Sequence, residues 1–276
     1  MTKVTLAHVS DLHFGRDADL EQVEALEEMV PSLRPDAIVI SGDLTQRARH
    51  GEFQRALAFA RTLGRGAPTL VLPGNHDVQW WASPFGILGT ERKYTKFRRY
   101  FGPELSPRLA IPGAVIAGAL TSHGVAAGSL TWNLNNLAVM GHLPAAEILK
   151  ATRYFQAAPP GAVRVLAVHH NVLPGAISRR MGLARWDRAQ QRLRASGADL
   201  ILCGHDHQEG AGQIDGTVVV STAGTHTGRT RGKRASAFNL VSVTQDSIDI
   251  QHMRWDRSQH GFLPADLARF GRLKAE

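Results

Sequence analysis

The sequence predicts an α/β fold, and two features of the chain lead to this prediction. Short apolar runs alternate with amphipathic segments as far as Cys203, a pattern typical of a parallel sheet covered by helices on both faces. From Gly212 onward, runs with a two-residue period are separated by turns, which indicates antiparallel strands with one more polar face.

The first part of the chain repeats an order of strand and helix. The run "KVTLAHVS" predicts a strand, and "DADLEQVEALEEMVPSL" predicts a helix capped by Asp17 or Asp19. The next predicted elements are the strand "DAIVIS", the helix "EFQRALAFARTL" and the strand "PTLVLP". The strand interiors are apolar throughout, as expected for strands buried on both faces.

Residues 79–113 break this order. The segment is rich in aromatic, basic, Pro and Gly residues, which favours an inserted, cap-like segment beside a site. Beyond it, the sequence predicts the helices "PAAEILKATRYFQAA" and "DRAQQRLRASG" and the buried strands "AVRVLAVHHN" and "ADLILCGHDH". We therefore predict one domain over residues 1–255 and a C-terminal tail over residues 256–276.

The composition is that of a globular protein without a membrane span. Of the 276 residues, 43% are apolar and 20% are charged. No run approaches the roughly 18 consecutive apolar residues of a spanning helix, and we expect a cytoplasmic protein of undetermined oligomeric state. Cys203 is the single cysteine, so an intrachain disulfide is excluded, and its apolar strand predicts a core residue rather than a nucleophile.

The chain is strongly basic, with a formal net charge of +8 and a pI near 10.2. Anionic partners are therefore expected. Nucleic acid is an alternative partner, but charge does not identify it, because a bias in genomic base composition also enriches Arg.

Five predicted strands end in side chains that bind metal ions. In chain order these residues are Asp11 and His13, Asp43, Asn75 and His76, His169 and His170, and His205 and His207. Since the carboxyl ends of parallel strands meet at one edge of a sheet, side chains distant in sequence converge there. Carboxylate, amide and imidazole donors without a thiolate favour iron, manganese, zinc or cobalt over magnesium or calcium.

The blocks "SDLH", "SGDL", "PGNHD", "HH" and "CGHDH", in this order, resemble the signature of the calcineurin-like metallophosphoesterases. The resemblance extends from about residue 4 to residue 225. Asp77 after "GNH" and the compact length are similar to the bacterial class III cyclic-nucleotide phosphodiesterases of that superfamily. The resemblance implies a four-layer α/β/β/α sandwich of two mixed sheets flanked by helices, with a dimetal site at the strand carboxyl ends.

The resemblance also implies a role for each residue of the site. The first metal would be held by Asp11, His13 and His207, the second by Asn75, His169 and His205, and Asp43 would bridge the two. His76 would face the substrate as a proton donor, with Asp77 orienting or charging its imidazole. Many family members have Pro after the paired histidines where this chain has Asn171, which leaves His170 as an alternative to His169.

Two metal ions are implied as cofactors, with iron and manganese favoured and zinc or cobalt as alternatives. The implied substrate is a small anionic phosphoester, with a 3′,5′-cyclic nucleotide as the candidate. The implied reaction is hydrolysis of its phosphodiester bond through attack by a metal-activated hydroxide. The alternative enzymes are a phosphomonoesterase and a glycerophosphodiester or lipid-headgroup phosphodiesterase. A nuclease and a noncatalytic scaffold are further alternatives, the scaffold being disfavoured because every ligand position and His76 are filled.

Two basic segments are candidates for holding the substrate. Arg99, within "YTKFRRYFG", would bind phosphate if this segment covers the metals. The alternative is a short amphipathic helix that packs its aromatic side chains onto the domain. His226 and Arg229 follow "VVVSTAG" and form the second candidate, for which a solvated basic turn is the alternative.

Overall fold

The structure is a computed structural model that describes residues 3–79, 90–124, 139–228, 230, 232 and 234–272. Its helices are α1 (Leu20–Ser32), α2 (His50–Gly64), α3 (Thr95–Phe101), α4 (Ala145–Gln156) and α5 (Trp186–Ala195). Its strands are β1 (Val4–Val9), β2 (Ala37–Ile40), β3 (Thr69–Val71), β4 (Arg108–Ile111), β5 (Ala114–Gly118), β6 (Val163–Ala167), β7 (Leu200–Cys203), β8 (Gly210–Ile214), β9 (Val218–Thr222), β10 (Ala237–Val243), β11 (Ser247–Asp256) and β12 (Gly261–Gly271).

The strands form two six-stranded mixed sheets. In the first sheet the order is β12-β11-β10-β1-β2-β3, in which β1, β2 and β3 are parallel and β10 runs antiparallel to β1. In the second the order is β4-β5-β6-β7-β9-β8, with a parallel centre from β5 to β9 and an antiparallel strand at each edge.

Three apolar clusters hold these layers together. One cluster lies between the sheets and joins side chains of both, such as Leu6 and Val165. A second packs α1 and α2 onto the first sheet, and a third packs α4 and α5 onto the second sheet. Each fully buried aliphatic or aromatic side chain contributes about 1.5–3 kcal/mol to stability. The predicted α/β/β/α sandwich of two mixed sheets is therefore confirmed.

Helix α1 illustrates how the sequence pattern determines the packing. The side chain of Asp19 accepts a hydrogen bond from the backbone N–H of Gln22 at 3.3 Å and so caps the helix, as predicted. Val23, Leu26 and Val30 then recur at helical spacing and are buried. Within the described residues, no helix is both long and apolar enough to cross a bilayer.

The C-terminal boundary of the domain differs from the prediction. Residues 256–276 were expected to form a tail, but β12 pairs antiparallel with β11 and completes the first sheet at its edge. Pro264 and the charged residues around it do not resemble a buried strand. Such residues are tolerated here because an edge strand leaves one row of backbone groups unpaired and exposes its side chains.

The segment 79–113, expected to be cap-like, contributes to both packing and the sheet. Residues 80–89 lie outside the described residues. Of the remainder, Phe97 of α3 is buried and Tyr100 stacks on Phe53 of α2 at a centroid distance of 5.4 Å. Strand β4 pairs with β5. The aromatic side chains of α3 therefore pack onto the domain, which is the alternative that the sequence left open.

Candidate metal centre

The loops that follow β1, β2, β6 and β7 meet at one edge of the two sheets. Backbone hydrogen bonds join them: the N–H of Asp11 donates to Gly42 O at 3.0 Å, and the N–H of Gly204 donates to His169 O at 2.8 Å. The two sheets are linked directly where the N–H of His205 donates to Asp11 Oδ2 at 2.9 Å. The convergence of distant strand ends is therefore observed.

Five of the predicted ligands adopt a left-handed backbone conformation. Their φ angles lie between 46° and 73°, and the residues are Asp11, His13, Asp43, His205 and His207. Asp and His tolerate this region better than most residues, yet each such position still costs roughly 1–3 kcal/mol. The fold thus maintains an unfavourable backbone that turns these side chains sharply inward.

The first cluster contains four ligand atoms within 4.8 Å of one another, contributed by Asp11, His13, Asp43 and His207. The Nε2 atoms of His13 and His207 are 3.0 Å apart. Asp11 Oδ1 lies 3.7 Å from His13 Nε2 and 3.5 Å from His207 Nε2, and Asp43 Oδ2 lies 3.7 Å from His13 Nε2. These distances suit donor atoms arranged around a single ion.

The second cluster contains Asn75, His169, His205 and the other carboxylate oxygen of Asp43. Asn75 Oδ1 lies 3.0 Å from both His169 Nε2 and His205 Nδ1, which are 3.3 Å apart. Asp43 Oδ1 lies 3.4 Å from His169 Nε2. Asp43 therefore directs one oxygen into each cluster, as a bridging ligand would.

A cation fits the first cluster because one of its ligand atoms is not satisfied by the described protein groups. Asp11 Oδ1 is buried and has no hydrogen-bond partner among the described residues. Such a state costs about 1–3 kcal/mol, or more for a charged group, unless a ligand satisfies it. The donor set of carboxylate, amide and imidazole groups is one that iron, manganese, zinc and cobalt accept. The seven residues thus provide two adjacent sets of donor atoms that could hold metal ions.

The choice between the paired histidines follows from their hydrogen bonds. The Nδ1 atom of His169 lies 2.9 Å from Ser41 O, which directs its Nε2 into the second cluster. His170 is close enough to His169 and His205 to approach the same ion. However, its Nδ1 is 2.8 Å from Thr121 Oγ1 and its Nε2 is 3.0 Å from the carbonyl of residue 139. His169 is therefore the better placed ligand.

The charges of the site favour a bound cation. Burial lowers the pKa of His169, but the carboxylates of Asp43 and Asp11 outweigh burial and raise that pKa to about 9. Burial would raise the pKa of Asp43, but the imidazoles of His169 and His76 hold it well below its ordinary value. Both aspartates are therefore ionised at neutral pH, and the raised pKa of His169 indicates that their charges favour a positive charge in this buried site.

The imidazole of His76 lies beside the first cluster, and one of its ring nitrogens is hydrogen-bonded to the protein. Its Nδ1 lies 2.8 Å from the carbonyl oxygen of Gln46, so Nδ1 carries the proton of this hydrogen bond. Its ring lies edge-on to that of His13, with centroids 4.8 Å apart. The backbone N–H of His76 donates to Asp43 Oδ1 at 2.8 Å. This arrangement fixes the orientation of the imidazole relative to the site.

Asp77 does not contact the imidazole of His76, so the prediction that it orients this ring is wrong. Its carboxylate instead accepts hydrogen bonds from the backbone N–H groups of Leu44, Thr45 and Gly74 and from the hydroxyl of Thr45, at 2.8–3.1 Å. Burial and the nearby Asp43 charge raise its pKa to about 6. Asp77 therefore joins the loops after β2 and β3, and Gln46 orients His76.

Gly74 is required by the close approach of these two loops. A Cβ atom at this position would lie 2.1 Å from the backbone nitrogen of Asp43 and 2.2 Å from its Oδ1. Any side chain would thus displace the bridging carboxylate. The glycine before Asn75 therefore has a steric role, in addition to permitting a sharp turn out of the strand.

Of the predicted substrate residues, His226 and Arg99 lie outside the metal clusters. His226 is fully buried and packs edge-on against Phe262 at 5.6 Å, so the prediction that it forms part of a substrate rim is wrong. Its small and polar neighbours in sequence gave no sign that the loop turns inward. Arg99 is exposed on α3, and Arg229 lies outside the described residues. The substrate role of Arg99 and Arg229 stays a prediction.

His8 lies behind the metal centre in a polar network that the sequence did not reveal. Its ring nitrogens approach the hydroxyls of Ser41 at 2.9 Å and Ser221 at 3.3 Å, and Asn239 donates to Ser221 Oγ at 2.8 Å. Burial lowers the pKa of His8 to about 3. The network satisfies polar groups between the sheets with His8 uncharged.

We expect His8 to make the protein sensitive to acid. Because the folded pKa is below the unfolded value, its contribution to stability is complete above pH 6.5 and is lost as the pH falls toward about 3. The total loss is about 5 kcal/mol, from about 1.4 kcal/mol per pKa unit. Urea unfolding at pH 7, 5.5 and 4.5 should show a shallower pH dependence for His8→Gln than for the wild type. The exposed control His50→Gln should match the wild type, and equal slopes for all three proteins would contradict this explanation.

Two proteins named as phosphodiesterases are similar to this chain in sequence. A cAMP/cGMP dual specificity phosphodiesterase from Mycobacterium tuberculosis is 28% identical over 275 residues, which cover 88% of this chain and 77% of that protein. A glycerophosphodiester phosphodiesterase from Enterobacter lignolyticus is 36% identical over 87 residues, covering 26% of this chain and 29% of that protein.

A solved structure shares the fold. The crystal structure of a dimetal phosphatase from Danio rerio matches with a TM-score of 0.66 at 12% identity and covers 98% of this chain and 99% of that chain. Residues 4–209 match the sequence profile of the calcineurin-like phosphoesterases. The predicted resemblance is thereby confirmed, and the chain belongs to the calcineurin-like phosphoesterase family.

Proposed function

We propose that the chain is a metal-dependent phosphodiesterase that acts on a small anionic substrate. The observation that supports this most strongly is the placement of Asp43, whose two carboxylate oxygens face two separate sets of ligand atoms. Two adjacent cations would bind and polarise a phosphoester. Membership of the phosphoesterase family agrees with this chemistry.

The chain's own residues would divide the work as follows. Asp11, His13 and His207 would hold one ion, and Asn75, His169 and His205 the other, with Asp43 shared. When bound, such ions supply Lewis acidity, which acidifies water and polarises phosphoryl oxygens. Iron and manganese are the metals that we favour for this mixed oxygen and nitrogen set, with zinc or cobalt as alternatives.

His76 would act as the proton donor to the leaving oxygen. Gln46 O accepts the Nδ1 proton, so Nε2 is the ring nitrogen available to exchange a proton with the substrate. The side chain is only partly buried, which leaves it accessible to a ligand at the site. Gln46 is then a positioning residue, since it acts through the imidazole.

A diester is favoured over a monoester by the relatives. The Mycobacterium tuberculosis protein, which this chain resembles over most of its length, is named as a phosphodiesterase of cAMP and cGMP. The Enterobacter lignolyticus protein, also named as a phosphodiesterase, shares a shorter region. A 3′,5′-cyclic nucleotide is accordingly our first candidate substrate, and a glycerophosphodiester is the second.

The proposal is tested by comparing diester and monoester hydrolysis. Protein loaded with manganese or iron should release p-nitrophenol from bis-p-nitrophenyl phosphate with a higher kcat/KM than from p-nitrophenyl phosphate, and should hydrolyse a 3′,5′-cyclic nucleotide. The exposed variant Asp187→Ala serves as a control and should behave like the wild type. A preference for the monoester would contradict the diesterase assignment, and hydrolysis of neither would contradict the enzymatic function.

A further inference from the structure

A polar cleft of about 750 Å³ opens next to the metal centre, between the loop after β1 and the start of α2. Four arginines line it: Arg16, Arg47, Arg49 and Arg55. All four side chains are exposed. The function described above gives no role to this cleft or to its charge.

The cleft is connected to the proposed proton donor through Gln46, which lines it. The carbonyl oxygen of Gln46 binds His76 Nδ1 at 2.8 Å. The side-chain oxygen of Gln46 accepts a hydrogen bond from the backbone N–H of Arg16 at 3.0 Å, and its amide donates to Asp17. Gln46 thus orients the imidazole of His76 and also forms part of the wall of the cleft. A ligand group bound in the cleft would therefore lie close to His76.

The carboxylate of Glu52 lies in the same cleft but is committed to the backbone. Its Oε2 accepts hydrogen bonds from the N–H groups of Arg47 at 2.8 Å and Arg49 at 3.1 Å, and the side chain is buried. These bonds hold the loop that carries both guanidinium groups. Glu52 therefore positions the backbone of Arg47 and Arg49. It forms no ion pair with their guanidinium groups in the described part of the chain.

The guanidinium groups of the cleft form no ion pair in the described part of the chain. The arginines that do pair with carboxylates there are Arg98, Arg164, Arg194, Arg234, Arg254, Arg269 and Arg272. Among the described residues that line the cleft, the four guanidinium groups outnumber the two carboxylates, Asp17 and Glu52, so the concave surface has a net positive charge. Guanidinium groups bind phosphate with paired, charge-assisted hydrogen bonds.

We propose that this arginine cleft binds a second phosphate group of the substrate while the scissile diester lies at the metal centre. The inference rests on the proposed phosphodiesterase activity and specifies its substrate class: a phosphodiester that carries an additional phosphate. A 3′,5′-cyclic nucleotide has a single phosphate and would leave the cleft without an anionic partner. The cleft thus favours a substrate with two phosphates over our first candidate.

Two chromogenic diesters that differ only in this group test the inference. Thymidine 5′-(p-nitrophenyl phosphate) lacks the second phosphate, and its 3′-phosphorylated form has it; both release p-nitrophenol. We expect the wild type to show a kcat/KM about tenfold or more higher for the 3′-phosphorylated form, as expected for one or two charge-assisted contacts. The double variant Arg47→Ala/Arg49→Ala should bring the ratio of the two values close to one.

The matched control is Arg61→Ala/Arg65→Ala, which removes the same charge from the other end of α2, where both side chains are exposed. This control should keep the wild-type ratio. A wild type without preference, or a ratio unchanged by Arg47→Ala/Arg49→Ala, would overturn the inference. A ratio that falls equally in the control would also overturn it, because only net charge would then matter.

A binding measurement separates this inference from the proposed activity. Calorimetry with thymidine 3′,5′-bisphosphate and thymidine 5′-monophosphate should show tighter binding of the bisphosphate, and Arg47→Ala/Arg49→Ala should abolish the difference. If neither diester is hydrolysed but this difference is found and lost as expected, the phosphodiesterase proposal fails and the phosphate site stands. If hydrolysis occurs without any preference in rate or binding, the phosphate site alone fails.

Discussion

Replacing Asp43 with Asn is expected to remove at least one metal ion and nearly all activity. The backbone N–H of His76 donates to Asp43 Oδ1 at 2.8 Å, so the amide of the variant should keep its oxygen at this position. Its NH₂ group would then face His13 in the first cluster, where it cannot act as a ligand. Because bound ions stabilise the transition state by several kcal/mol, turnover should fall by about 10³-fold or more.

Metal content and kcat measured on the same preparation would check this prediction for Asp43→Asn. The variant is isosteric, so its circular dichroism spectrum and urea midpoint in chelator should remain close to those of the wild type in chelator. The control Asp187→Ala removes an exposed carboxylate from α5 and should retain both ions. Full metal occupancy in Asp43→Asn would show that Asp43 is not a shared ligand.

Replacing His76 with Ala should have a different effect: both metal ions stay, and turnover falls by about 10²–10⁴-fold. The side chain of His76 contributes no atom to either ligand cluster, and the backbone hydrogen bond to Asp43 survives the substitution. The loss should be largest for substrates with alkoxide leaving groups. It should be smaller for p-nitrophenyl esters, whose leaving group departs without a proton.

This dependence on the leaving group distinguishes a proton donor from a structural residue. A structural role would lower turnover of both substrate types by the same factor, and it would also reduce metal content. Full activity of His76→Ala on an alkyl diester would mean that another group supplies the proton. The variant Gln46→Ala offers a further comparison, because it keeps the carbonyl that orients His76 and removes only the side chain.

The sequence predicted the metal centre better than its surroundings. Asp11, His13, Asp43 and the later ligands each follow a buried strand, and parallel strands bring their carboxyl ends together whatever their separation in the chain. Strand ends do not identify Gln46, because Gln46 acts through its backbone carbonyl, a group that every residue has. Asp77 was misread for a related reason: adjacency to His76 suggested a side-chain contact, whereas neighbours along an irregular loop point in different directions.

The prediction from sequence differed from the structure where the burial of a residue does not follow from its local composition. Strand β12 contains Pro264 and two charged residues, Asp266 and Arg269, so its sequence resembles a tail. Its pairing with β11 depends on the backbone and on an edge position that only the assembled sheet defines. His226 was expected on a substrate rim, or in a solvated basic turn, because it follows a predicted strand and precedes Arg229. Its burial results from contacts with distant Phe262, which local sequence cannot reveal.

We have proposed that two metal ions share the carboxylate of Asp43. Crystals of metal-loaded protein, measured with X-rays at the absorption edge of the bound metal, test it most directly through anomalous difference density. We predict two peaks about 4 Å apart, one within coordination distance of Asp43 Oδ2, Asp11 and His13 and the other of Asp43 Oδ1, Asn75 and His169. A single peak, or two peaks of which only one contacts Asp43, would contradict the claim.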